Sequence, residues 1–113
     1  MNKFTHKVIM GDSKSVLSKF KSNSIQLMVT SPPYYNAREY SQWKTVDDYL
    51  NDMNDILKEC FRVLDNHRIF VLNVGDVNCQ LGKQPWTKQR LPLGALFTIM
   101  MQKLGFKYID DYI

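Results

Sequence analysis

The sequence predicts an α/β fold built on a mostly parallel sheet with helices on both faces. Three observations carry that expectation. Short apolar runs alternate with stretches of three- and four-residue hydrophobic spacing, in the order strand, helix, strand, helix, strand, helix, strand. The run Ile25 to Thr30 (IQLMVT) is nearly apolar throughout, which suits a parallel strand covered on both faces better than an edge strand. Two of the apolar runs close on the same turn dipeptide, Gly11-Asp12 and Gly75-Asp76. Right-handed crossovers follow from such a topology.

Each element has its own signal. Lys7 to Met10 (KVIM) reads as a first strand ended by Gly11-Asp12. From Asp12 or Ser13 the pattern turns helical, with Val16, Leu17 and Phe20 on one face and Lys14, Lys19 and Lys21 on the other. A polar turn, Lys21 to Ser24, leads into the strand Ile25 to Thr30. The clearest helix carries Val46, Tyr49, Leu50, Met53, Ile56, Leu57, Cys60, Phe61 and Leu64 at helical spacing. Thr45 is its N-cap, Asp47 and Asp48 lie in its first turn and Arg62 near its end, as the helix dipole favours. Asp65-Asn66 breaks the helix, and Arg68 to Val74 (RIFVLNV) makes a third strand. A polar loop of about fifteen residues then runs to Leu91, long by the usual standard of connections. Pro92 opens a last helix with Leu93, Leu96, Ile99, Met100 and Leu104 on its face, Gly105 stops it, and Phe106 to Ile113 alternates loosely as a fourth strand.

Composition bounds the function. The 113 residues form at most one domain, and 44% apolar with 23% charged residues is ordinary for a folded globular chain. No window approaches the ~20 apolar residues that span a bilayer, and MNKFTHKVIMGD has no signal-peptide core, so a cytoplasmic protein with no membrane partner is expected. Cys60 and Cys79 are far apart and outside any Cys/His cluster, so neither a disulfide framework nor a metal site is indicated. His6 and His67 have no partner at ligand spacing and read as surface residues. A net charge of +4 and a pI near 9.1 are compatible with a nucleic-acid partner without requiring one.

Ligands of open parallel sheets bind outside the carboxyl ends of the strands. Gly11-Asp12, Ser31-Pro32-Pro33-Tyr34 and Gly75-Asp76 all fall there. A proline fixes its own φ and keeps its predecessor extended, so Ser31 and Pro32 are both held and the loop presents acceptors at fixed positions. Ser31 offers a hydroxyl oxygen, Pro32 a carbonyl, and Tyr34 a ring face. A planar ligand bearing an NH2 group fits that set. The plainer reading is a chain-reversing loop with two tyrosines packed on the surface.

The flanks extend the pattern. Gly-Asp, an apolar strand ending TSPPYYN, a loop R-E-Y-x-x-W, the helix beginning near Val46 and an apolar strand ending N-V-G-D resemble the amino-methyltransferases that modify cytosine N4 or adenine N6 in DNA. The resemblance covers essentially the whole chain, with Ser31 to Tyr34 matching the family's [D/N/S]-P-P-[Y/F/W] motif. It implies an incomplete Rossmann-like methyltransferase sheet, S-adenosylmethionine as cofactor, and double-stranded DNA as partner in a restriction-modification setting. It also implies catalytic roles for Ser31, Pro32, Pro33 and Tyr34. The Ser31 hydroxyl and the Pro32 carbonyl would accept the two amine hydrogens of a flipped base while Tyr34 stacks on it. Asp12, Thr30 and Ser31 would face the cofactor, Asp12 near its adenosine and Thr30 beside its methionine part. The serine form of the motif favours cytosine, with adenine as the alternative. Arg38 and Lys44 beside the motif, and Lys83, Trp86, Lys88 and Arg90 in KQPWTKQR, are candidate DNA contacts, since cations beside an aromatic ring suit a phosphate backbone.

The chain departs from the family in one respect. Its glycines, at 11, 75, 82, 94 and 105, include no G-x-G pair, whereas the family needs a glycine-rich turn against the methionine part of the cofactor. Residues 1–113 are therefore expected to be a partial catalytic domain, weakly active or inactive alone, which self-associates or depends on a further portion or partner chain for that loop. The rivals are a catalytically inactive nucleic-acid-binding or assembly module of the same fold, and a methyltransferase acting on RNA or a protein amide.

Overall fold

The computed structural model describes residues 5–35, 43–80 and 84–112. Its elements run α1 (Ser13–Leu17), β1 (Ile25–Thr30), α2 (Val46–Val63), β2 (Leu64–Leu72), β3 (Val77–Gln80), β4 (Lys88–Leu91) and α3 (Leu93–Leu104), with a 3-10 turn at Pro85–Thr87. The α/β class is the one expected, for β1 and β2 are parallel neighbours with α2 between them in the chain.

Helix α2 organises the molecule. Thr45 Oγ1 accepts the N–H of Asp48 at 3.0 Å, closing the first turn, and Asp47 and Asp48 stand against the positive end of the dipole. Tyr49, Met53, Leu57, Cys60 and Val63 make one buried stripe. No loop follows: Leu64 both caps the helix and begins β2. Just before it, the Arg62 guanidinium donates to the carbonyls of Leu17 at 2.8 Å and Phe20 at 2.9 Å, so the end of α1 and the chain after it are tied to α2.

The core joins Tyr49, Met53 and Leu57 of α2 to Leu93 and Phe97 of α3, with Val77, Leu91 and Tyr35 completing it. Phe70 and Leu72 of β2 pack on this cluster. Their neighbours on the strand point the other way, because side chains alternate across a sheet. Leu27 pairs with Ile69 and Val29 with Val71, and all four are exposed, Val29 by 66%. The expectation of helices on both faces is met on one side of the described sheet and leaves this side open. The register slips between Ile25 and Leu27, which pair with Leu64 and Ile69, and His67 in the looped-out stretch takes φ 61°.

Three expectations are corrected. Lys7 to Met10 forms no strand, and Val8 and Met10 are 98% and 97% exposed. Residues 106–112 form none either. An apolar run becomes a strand when a neighbour takes up its backbone hydrogen bonds, and neither run has one among the described residues. The polar loop before Leu91 is instead an antiparallel hairpin of β3 and β4, pinned because its end pair, Val77 and Leu91, is buried in the core. Gly105 ends α3 as expected, at φ 115°, and a Cβ there would meet the Phe61 ring at 2.7 Å.

Candidate active site

The loop Ser31 to Tyr34 leaves the carboxyl end of β1, where the Thr30 carbonyl still accepts the N–H of Asn73 at 2.8 Å. Beyond that point side chains hold the loop. The Tyr49 hydroxyl donates to the Pro33 carbonyl at 2.7 Å, and the Tyr34 hydroxyl oxygen accepts the Gly75 N–H at 2.8 Å. Tyr49 is fully buried, its ring in edge contact with Tyr35, Trp43 and Phe97. Ser31 is exposed, Pro32, Pro33 and Tyr34 are half-buried, and Tyr35 belongs to the core. Burial first, then Cys79 and Asp48 nearby, pushes the Tyr35 phenol above its ordinary pKa, so it stays neutral.

Beside this loop lies a cleft of about 420 Å³ lined by Asp12, Pro33, Trp43, Asp52 and Asp55 among others. Asp12 Oδ2 accepts the backbone N–H of Ser15 at 3.1 Å and its hydroxyl at 3.2 Å, capping α1. Asp52 Oδ2 accepts the Trp43 indole N–H at 2.7 Å, and Lys14 pairs with Asp55 at 3.3 Å. Three carboxylates against one lysine make the cleft an acceptor of N–H, O–H and cationic groups. It is not built for phosphate.

Of the residues singled out in the sequence, Asp12 and Pro33 share this cleft, and Tyr34 and Gly75 share a hydrogen bond. Gly11-Asp12 is carried at the start of α1 and not at a strand end, and Thr30, Ser31, Pro32 and Tyr34 do not line the cleft. Lys44 is exposed before α2. Trp86, Lys88 and Arg90 are exposed on the hairpin, Trp86 by 79%, and none of them lines the cleft. Arg90 Nε lies 3.6 Å from Asp76 Oδ2, whose other oxygen accepts the Gly94 N–H at 3.4 Å. Asp76 thereby serves the start of α3, where Pro92 offers no side-chain cap. Arg38 and Lys83 lie outside the described residues. Among the described residues no group of three His, Cys, Asp or Glu could hold a metal ion.

Sequence reasoning placed Tyr49 in the apolar stripe and missed its bond to the loop; a hydroxyl in an otherwise aliphatic and sulfur-bearing stripe was the available signal. The link from Trp43 to Asp52 had no such signal.

A family model for DNA methylases matches residues 25–113, from the start of β1 onward. The chain belongs to the DNA methylase family. It is 44% identical over 110 residues to the type II beta methyltransferase M.BslI of Bacillus sp. (strain NEB-606), covering 95% of this chain and 12% of that protein. It is 38% identical over 89 residues to the type II methyltransferase M.SfiI of Streptomyces fimbriatus, covering 69% of this chain and 21% of that one. Among solved structures it resembles TTHA0409 of Thermus thermophilus, described as a DNA modification methylase and crystallised in complex with S-adenosyl-L-methionine. The TM-score is 0.69 at 33% identity, covering 86% of this chain and 40% of that one. The chain therefore spans a minor part of the family members it matches.

Proposed function

We propose that the chain supplies the catalytic loop of a site-specific DNA methyltransferase that places a methyl group on the exocyclic amine of a flipped base, cytosine N4 in preference to adenine N6. The observation that carries this reading is the double tether of the Ser31 to Tyr34 loop, to Tyr49 through Pro33 and to Gly75 through Tyr34. Such a loop keeps its acceptors in place without reorganising during the reaction. Flipping a base out of duplex DNA costs about a few kcal/mol, which stacking on Tyr34 offsets. The exocyclic amine is a weak nucleophile because its lone pair is delocalised into the ring. The Ser31 hydroxyl and the Pro32 carbonyl, accepting its two hydrogens, favour a more pyramidal nitrogen with the lone pair directed at the methyl group.

S-adenosyl-L-methionine, which TTHA0409 binds in its crystals, would supply that methyl group from its sulfonium, which would leave as a neutral thioether while the amine loses one proton to solvent. Asp12, Thr30 and Ser31 would hold it. Of these three only Asp12 lines the cleft beside Pro33, whose volume of about 420 Å³ falls within the roughly 300–1,000 Å³ of small-molecule sites and whose carboxylates suit hydroxyls and a cation. Lys44, Trp86, Lys88 and Arg90, with Arg38 and Lys83, would face the double-stranded DNA, in the cytoplasm. Because residues 1–113 hold no G-x-G pair, the glycine-rich turn is supplied by a further portion or a partner chain, and the 113 residues alone transfer methyl groups poorly.

The test is tritium transfer from labelled S-adenosylmethionine to duplex DNA, with the methylated nucleoside identified. Alongside it, the labelled chain is titrated with deoxycytidine and deoxyadenosine while the Ser31 and Tyr34 resonances are followed. Response to deoxycytidine above deoxyadenosine supports the reading. The exposed cations and Trp86 of the hairpin favour one rival, a non-catalytic nucleic-acid-binding module. DNA binding that survives Ser31→Ala and Tyr34→Ala and ignores the cofactor would establish it.

A further inference from the structure

We infer that Tyr49 is a positioning residue for the Ser31 to Tyr34 loop, which fixes the one backbone torsion the prolines leave soft. The inference rests on the reading of that loop as the site of methyl transfer. The rings of Pro32 and Pro33 set their own φ, and standing before a proline restricts ψ at Ser31 and Pro32. The next torsion, ψ of Pro33, has no such restraint. It turns the Pro33 carbonyl and swings Tyr34 relative to the acceptors of Ser31 and Pro32. That carbonyl is the group to which Tyr49 donates, at 2.7 Å.

Burial alone does not call for a tyrosine here. Position 49 lies in a stripe with Met53, Leu57, Cys60 and Val63, and its side chain is wholly removed from solvent among Tyr35, Trp43 and Phe97. Phenylalanine would fill the same space without placing a hydroxyl in the core, which is costly unless the hydroxyl is hydrogen-bonded. The hydroxyl has the loop carbonyl as its partner, and the ring is held by contacts on three sides. The far end of the segment is fixed by Gly75, whose N–H meets the Tyr34 hydroxyl at 2.8 Å. With ψ of Pro33 and the Tyr34 hydroxyl both pinned, the ring that would stack on a base has one orientation.

The test is Tyr49→Phe in the 113-residue chain, read by amide hydrogen exchange and by nucleoside titration. Gly75 should exchange roughly three- to tenfold faster, the span expected for one lost hydrogen bond, while the amides of Leu57 and Cys60 keep their rates. The response of the Tyr34 resonances to deoxycytidine or deoxyadenosine should weaken by a similar factor. An unchanged Gly75 rate overturns the inference, as does a uniform rise over all amides, which would mark Tyr49 as a core residue and nothing more. If the wild-type loop ignores both nucleosides while Tyr49→Phe still frees Gly75, the tether stands as a structural fact, and the methyl-transfer reading falls and takes the positioning role with it.

Discussion

The Tyr34 hydroxyl oxygen accepts the Gly75 N–H at 2.8 Å, so the loop after β1 is joined to the loop after β2 by the Tyr34 side chain. Tyr34→Phe keeps the ring face and removes the acceptor, leaving a half-buried N–H unpaired at a cost of about 1 kcal/mol. Tyr34→Ala removes the stacking surface as well, worth about 1–3 kcal/mol per base. Nucleoside binding followed by resonance shifts should therefore fall modestly in Tyr34→Phe and several-fold further in Tyr34→Ala. Equal losses in the two variants would mean that the hydroxyl, not the ring, matters.

Arg62 carries the second prediction. Its guanidinium donates to the Leu17 and Phe20 carbonyls and to Ser22 Oγ, and its Nε meets Glu59 at 2.7 Å. A single ammonium cannot reproduce that fork. Arg62→Lys should lower the unfolding free energy by about 1–2 kcal/mol and Arg62→Ala by about 2–3 kcal/mol, the scale of lost hydrogen bonds to a charged group. Urea denaturation measures both. An unchanged midpoint in Arg62→Ala would show that α1 is held by other contacts.

Helix α2 was legible because its signals are local: Thr45, Asp48 and the stripe from Tyr49 to Val63 agree within one segment. The Ser31 to Tyr34 loop was legible for the same reason, since proline acts on its own backbone. What could not be read depends on partners distant in sequence. Lys7 to Met10 has the apolar residues of a strand and no ladder to join among the described residues, so it stays irregular and exposed. The hairpin was hidden because Lys88, Gln89 and Arg90 look like a solvated loop; the burial of Leu91 opposite Val77 decides it. Tyr49 read as core, and it is core; its bond to Pro33 crosses sixteen positions of sequence that no spacing rule connects.

The hairpin gives a charge prediction. Lys88 and Arg90 stand two apart on β4 and so on one face, with Trp86 exposed just before them. If this face meets DNA phosphates, Lys88→Ala should weaken binding about equally across sequences and reduce the salt slope by about one. Arg90 is partly engaged by Asp76 at 3.6 Å, so Asp76→Asn should free it and tighten binding at low salt. Fluorescence anisotropy at several salt concentrations reads both effects. A salt slope untouched by Lys88→Ala would remove the hairpin from the interface.

Leu27, Val29, Ile69 and Val71 make an in-register apolar face that nothing covers among the described residues. Water against such a patch costs about 25 cal/mol per Å², which pairing with a second copy would recover. Light scattering should find the 113-residue chain self-associated at high concentration. Val29→Lys with Val71→Lys should return it toward a monomer, because two added cations on the face repel their copies. A monomer at every concentration would show that the face tolerates solvent.

Cys60 supplies a pH dependence. Burial, reinforced by the nearby Glu59 carboxylate, pushes its thiol from 9.0 up to about 11. The folded state therefore keeps a proton that the unfolded chain releases near its ordinary pKa. Stability is unaffected by this group below pH 9, falls as pH rises between about 9 and about 11, and levels off above. Cys60→Ala removes that slope while opening a small cavity, so the variant should be less stable at pH 7 and lose less on going to pH 11. The thiolate is the reactive form, so Cys60 should resist alkylation by iodoacetamide at pH 8 until the chain unfolds, and the half-buried Cys79 should be labelled first. Mass spectrometry of the alkylated peptides distinguishes the two sites. Early labelling of Cys60 would mean that the α2 stripe opens without global unfolding.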